Sequence, residues 1–252
     1  VAWDCGYRYA NSRVRPKEHT EALKLIRAVV DAHPDRAARA WAYGGLARYT
    51  HCQFAVSEYD RGPHTDRFAA EAEEVHRQLV ARYGDDLSPG GRKFGEIGRG
   101  VLYELRNLRV GKVAPDIVGD DLDGKRFKLS DSRGKVTLLV FWGSWCGPCM
   151  ALVPQERALA VRYAGRPFAI VGVNSDGDRA KARETTDRDK MTWRSFWNGA
   201  DGPDGPISTA WNIHGWPTLY LIDAAGVIRY RDIYRNDLDK AVADLLAELE
   251  KK

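Results

Sequence analysis

The chain has 252 residues, 39 basic against 35 acidic side chains, a formal charge of +4, and 44% hydrophobic and 29% charged residues. That balance excludes a disordered or low-complexity chain, which would bury too little apolar surface to offset the entropy of ordering. The charges are interspersed without a basic block, so no nucleic-acid partner is indicated.

The longest strongly apolar run, Val136 to Trp142, falls far short of the roughly 20 residues a membrane-spanning helix needs. The chain starts at Val1 rather than Met, so the absence of a visible leader says nothing about export. Four cysteines are too few for a disulfide scaffold in a chain of this length. Cys146 and Cys149 form a close pair, whereas Cys5 and Cys52 stand apart. Cys5 and Cys52 read equally as a disulfide tying down the N-terminus or as a free thiol and a small buried hydrophobe.

Residues 1–111 read as an α-helical domain. Leu23, Ile26 and Val30 keep helical spacing and stop at His33-Pro34-Asp35, which also signals a restart. Trp41, Leu46, Tyr49 and Cys52 continue through an Ala-rich stretch of good helix formers. Phe68, Ala72, Val75, Leu79 and Tyr83 form a longer stripe closed by Gly84-Asp85-Asp86, and Phe94, Ile97, Val101, Leu105 and Leu108 a further one. Residues 28–35 faintly resemble 78–85, which fits two stacked helical hairpins of a repeat. Four amphipathic helices in a small bundle explain the pattern equally well.

Gly111-Lys112-Val113-Ala114-Pro115 reads as a hinge, and 112–252 as a second domain of alternating strands and helices. Asp121-Leu122-Asp123-Gly124 predicts a hairpin turn; a calcium loop is excluded because the remaining ligand spacing and the terminal Glu are missing. Val136 to Trp142 predicts a strand buried on both faces, followed by a helix from about Cys146 to Tyr163. Phe168 to Val173 predicts a second buried strand and Ala180 to Asp187 a helix. Thr218 to Ile222 and Val227 to Tyr230 predict a hairpin turning at Ala225-Gly226, and Asp237 to Leu249 a closing helix. The fold class is α/β with a mixed central sheet flanked by helices, preceded by an all-α part.

The chemistry concentrates in Trp142-Gly143-Ser144-Trp145-Cys146-Gly147-Pro148-Cys149. A C-x-x-C after a buried strand and at a helix start is a redox arrangement. Free N–H groups and the positive end of the helix dipole favour a thiolate on the first cysteine, and the second lies one turn on, within disulfide reach. Pro148 fits the first helical turn, where its missing N–H costs nothing. A zinc site would need a second closely spaced ligand pair, which the sequence lacks.

Trp145-Cys146-Gly147-Pro148-Cys149 resembles the thioredoxin active-site motif, and Gly215-Trp216-Pro217-Thr218 resembles that family's cis-proline loop. Pro154 is similar to the family's proline that kinks the active-site helix. Ala114-Pro115-Asp116, Leu122-Asp123-Gly124-Lys125, Leu129-Ser130-Asp131, Gly134-Lys135-Val136 and Val171 to Asp176 resemble the TlpA/ResA-like, peroxiredoxin-related branch. The resemblance spans about residues 112 to 250. It implies a thioredoxin fold and a thiol–disulfide oxidoreductase, with Cys146 as nucleophile and Cys149 as resolving thiol. Trp145, Gly147, Pro148, Trp216 and a cis Pro217 would shape the substrate groove. It further implies protein disulfides as substrates, a thiol electron donor, no bound cofactor or metal, and an extracytoplasmic location, with any anchor outside this chain. Gly-Pro between the cysteines resembles the reducing members.

Two positions depart from the pattern. The family's buried acid on the central strand corresponds to Val140, and the ResA-like Glu of the active-site helix to Leu152. Glu156, the nearest downstream acid, is expected to point away as a solvated side chain. A peroxidase is disfavoured, since Leu139 and Gly143 stand where a Pro-x-x-x-Thr/Ser-x-x-Cys loop needs its first two residues. A reading of another class makes the helical part a partner-binding adaptor with an auxiliary redox domain.

Trp193, Phe196, Trp197 and Trp211 surround the Gly/Pro/Asp-rich loop 199–206, as a specificity lid or as core beneath a surface loop. His214 is expected on the surface.

Overall fold

The structure, a computed structural model, describes residues 16–251. Cys5, and with it the question of its pairing, lies outside the described residues. The chain divides into two compact units, one ending at Arg106 and one starting at Asn107.

The first unit is helical: α1 (Pro16–Ala32), α2 (Arg36–Tyr59), α3 (Thr65–Tyr83) and α4 (Phe94–Asn107). Pro34 and Asp35 separate the first two helices. The Asp35 carboxylate caps α2 by accepting the Ala37 N–H at 2.9 Å, satisfying a donor that has no partner inside the helix. The core of α2 is not the stripe expected from its largest residues. Ala40, Tyr43, Ala47, Thr50 and Phe54 turn inward, whereas Trp41 is half exposed and donates its indole N–H to Leu87 O at 2.9 Å. Small alanines let α3 approach closely, so burial follows fit rather than side-chain size. Leu79, Tyr83 and Phe94 complete this core, and Phe54, Ala69, Ala72, Val101 and Leu105 form a second cluster beside it.

The second unit opens with a segment expected to act as a hinge. It is instead bonded into this unit: Gly111 N–H donates to Ile228 O, Ile228 N–H to Lys112 O, and Ala114 N–H to Gly226 O. A short hairpin follows, β1 (Val118–Asp120) and β2 (Arg126–Lys128), paired antiparallel. The Asp121 carboxylate explains its turn. It accepts the N–H groups of Asp123 and Lys125 at 2.9 and 2.8 Å and pairs with Arg194 at 2.6 Å.

The main sheet has five strands. It comprises β3 (Val136–Trp142), β4 (Phe168–Asn174), β5 (Ser195–Trp197), β6 (Thr218–Ile222) and β7 (Ile228–Arg231). Across the sheet the order is β5-β4-β3-β6-β7: β3, β4 and β5 are parallel, β6 pairs antiparallel with β3, and β7 pairs antiparallel with β6. The helices are α5 (Gly147–Arg162), α6 (Arg179–Arg188), α7 (Pro206–Ala210) and α8 (Arg235–Glu250). The edge strand β5 escapes prediction because three residues carry no readable period, and its Phe196 and the nearby Trp211 are fully or nearly fully buried core.

All seven residues of β3 are buried, and they alternate between two cores. Leu138, Val140 and Trp142 join the layer that holds α5 and α8, together with both cysteines. Leu139 and Phe141 face the other layer, with Phe127, Leu129, Phe196 and Tyr220. A strand covered on both faces has no use for polar alternation, which is why its sequence is continuously apolar.

Candidate active site

The site sits where the parallel strands end. β3 stops at Trp142, and the chain turns through Gly143, Ser144 and Trp145 into α5. Cys146 is the N-cap of that helix, with extended backbone (φ −89°, ψ 96°), and its Sγ accepts the N–H of Cys149 at 3.1 Å. That amide is one of the donors a helix start leaves without an internal partner. A donor in that position and the positive end of a helix dipole favour a thiolate over a thiol. Cys146 and Cys149 are joined by a disulfide, with their Cα atoms 5.2 Å apart. Both are buried, whereas Gly147 and Pro148 between them are exposed. Pro154 lies inside α5.

The Trp216–Pro217 peptide bond is cis. Trp145 is half exposed, and its ring meets that of Trp216 edge to face, with centroids 5.5 Å apart and planes at 67°. Gly143 makes room for this: a Cβ there would lie 2.6 Å from Trp145 Nε1. His214 is exposed and bonds Asn212 Oδ1 through Nε2, as a surface histidine.

A polar segment that the sequence marked only as family-like, and not as part of the site, completes it. Asn174, Ser175 and Asp176 follow β4 directly and are almost wholly buried. The Asp176 carboxylate accepts Ser144 N–H at 3.0 Å, Ser144 Oγ–H at 2.6 Å and the Asn174 amide at 2.6 Å. Ser175 O accepts the Trp145 indole N–H at 3.2 Å, and Ser175 Oγ accepts that of Trp216 at 3.1 Å. The signal was available: Asn174 pairs in parallel register with Trp142, so whatever follows β4 lies beside whatever follows β3.

The two positions where the family resemblance implies acids are apolar in space as well as in sequence. Val140 is buried in the core that contains the cysteines, and Leu152 packs partly buried against it. Glu156 overturns the expectation of a solvated side chain. It is 3% exposed, and burial pushes its carboxyl from an ordinary 4.5 up to about 8. Cys149, Val153, Glu156 and Leu159 follow one another at steps of four, three and three, so Glu156 falls on the core-facing stripe of α5.

A mixed sheet between helical layers, with a C-x-x-C disulfide capping the first helix after the central strand, defines a thioredoxin-fold protein with a redox-active dithiol. The comparisons agree. The Redoxin family profile matches residues 109–249, and the chain belongs to that family. The thiol-disulfide oxidoreductase ResA of Geobacillus kaustophilus is 33% identical over 126 residues, covering 50% of this chain and 70% of that protein. The thioredoxin-like protein YneN of Bacillus subtilis is 29% identical over 146 residues, covering 57% and 81%. The crystal structure of the thioredoxin domain of a thiol-disulfide oxidoreductase from Bacteroides vulgatus superposes with a TM-score of 0.51 at 28% identity, covering 56% of this chain and 99% of that one. The protein is a thiol–disulfide oxidoreductase whose Redoxin domain follows a helical extension. No helix among the described residues is long and apolar enough to cross a membrane.

Proposed function

We propose that the protein reduces disulfides in protein substrates, with Cys146 as nucleophile and Cys149 as resolving thiol. The observation that carries this is the position of Cys146 as N-cap of α5, its sulfur already accepting the Cys149 N–H. The Cys146 thiolate attacks one sulfur of the substrate disulfide. That disulfide breaks, a mixed disulfide with Cys146 forms, and the other substrate sulfur leaves as a thiolate that takes a proton. Cys149 then loses its proton and attacks Cys146 Sγ. The mixed disulfide breaks, the second substrate thiolate leaves and is protonated, and Cys146–Cys149 closes. Two electrons have passed to the substrate, and an external thiol donor returns the pair to its reduced form. The dithiol holds the electrons itself, so the cycle calls for no bound cofactor.

Gly147 and Pro148, exposed between the buried cysteines, support access to the pair from that side, and likeness to the thioredoxin motifs supports Trp145, Trp216 and Pro217 as walls of the substrate groove. Likeness to the ResA-like branch supports an extracytoplasmic setting, and the Gly-Pro pair supports the reducing direction. Cys146→Ser should abolish exchange, and Cys149→Ser should trap substrate in adducts that dithiothreitol releases. Full activity in Cys146→Ser would overturn the assignment.

A further inference from the structure

Both indole N–H groups at the mouth of the site end on one residue. Trp145 donates to the backbone oxygen of Ser175, and Trp216 to its hydroxyl. Ser175 is itself fixed. It is fully buried, its N–H donates to Trp142 O at 2.8 Å, and its hydroxyl lies 3.4 Å from that of Ser208. Its neighbour Asp176 holds the other flank of the loop through Ser144 and accepts the Trp197 indole N–H on its backbone oxygen at 3.0 Å.

Segments 143–149 and 215–218 contain no charged side chain. What they present beside the barely exposed Cys146 is a half-exposed indole braced by a second one. Aromatic rings at a contact contribute large apolar area, and a ring already held in place loses little conformational freedom when a partner docks.

We infer that Ser175 is a positioning residue that sets Trp145 and Trp216 as a preformed apolar jaw, which selects protein segments with an aromatic or large aliphatic side chain next to the disulfide-bonded cysteine. This deepens the proposed exchange reaction and rests on it. The jaw acts on recognition, whereas the sulfur chemistry belongs to Cys146 and Cys149. Loss of the Ser175 hydroxyl frees one ring and leaves the cysteines where they are.

The test uses the reduced full chain and three disulfides. Two are synthetic peptides, each bearing a cysteine in disulfide with glutathione and flanked by Phe or by Ser; the third is glutathione disulfide. The wild type should prefer the Phe-flanked peptide in kcat/KM. Ser175→Ala should cut that preference by about five-fold, the loss expected for one hydrogen bond. Trp216→Phe removes the same bond from its other end while keeping a ring, so it serves if Ser175→Ala does not fold. The double variant should fall no further than either single one. Equal rates on the two peptides in the wild type, or an unchanged preference in both single variants, would overturn the jaw while leaving exchange intact. Failure of the wild type to exchange with any of the three would instead remove the exchange reading, and the jaw with it.

Discussion

Glu156 offers a direct thermodynamic test of the site's interior. Its carboxyl is held near 8 by burial, while the unfolded chain would titrate it near 4.5. Between those values the native state binds more protons than the unfolded state, so folding becomes less favourable as pH rises. The slope is about 1.4 kcal/mol per pH unit, and by pH 7 the penalty reaches about 3 kcal/mol. Glu156→Gln is isosteric and carries no charge, so it should match the wild type at pH 4.5 and exceed it by about 3 kcal/mol at pH 7. Urea unfolding of the oxidised protein from pH 4.5 to 8, followed by tryptophan fluorescence, reports the effect. Six of the eight tryptophans lie beyond Asn107, at 142, 145, 193, 197, 211 and 216. Taking the difference between variant and wild type cancels every other titrating group. Parallel pH profiles for the two proteins would refute the reasoning, because they would mean that the carboxyl ionises in the native state as easily as in water. Glu156→Leu gives a second check, since a buried apolar side chain should be at least as stable at neutral pH.

Three further outcomes are expected. Burial lowers the pKa of His76 to about 4, so its unfolded form takes up a proton that the native form refuses. The helical unit should therefore lose stability as pH falls from 6.5 towards 4, and hydrogen exchange of the α3 amides should show this in the wild type but not in His76→Leu. Asp121→Ala takes the acceptor from two backbone N–H groups and the carboxylate partner from Arg194, which should cost about 1–3 kcal/mol and lower the melting temperature. Gly143→Ala pushes a methyl group against the Trp145 indole, so it should shift that residue's fluorescence and slow exchange with protein substrates more than with glutathione disulfide.

The sequence was most informative where one physical constraint dominates. Continuous apolarity over Val136 to Trp142 meant a doubly covered strand, and His33-Pro34-Asp35 marked a helix boundary that the Asp35 cap confirms. The cysteine pair declared itself because no structural role explains that spacing after a strand. Other features depend on distant partners and were illegible for that reason. Trp41 looked like core until Ala40 and Tyr43 proved to face the neighbouring helix. Glu156 looked solvated because a carboxylate is rarely buried, although its spacing from Cys149 already placed it on the inner stripe. Ser175 was legible only as part of a family-like stretch; its place beside the tryptophans appears only when β3 and β4 lie side by side.

A five-stranded open sheet has two exposed borders, each a row of unpaired amides able to recruit strands from other molecules. Here both are attended by chain that precedes the central strand. Gly111, Lys112 and Ala114 bond along β7, while Leu122 donates to Ser195 O and Asp121 bridges Phe196 along β5. The stretch from 107 to 135 is thus a selvedge, finishing both sides of the fabric at once. A minimal redox domain begun at Val136 would keep its dithiol and lose both borders. Its predicted failing is self-association rather than lost chemistry.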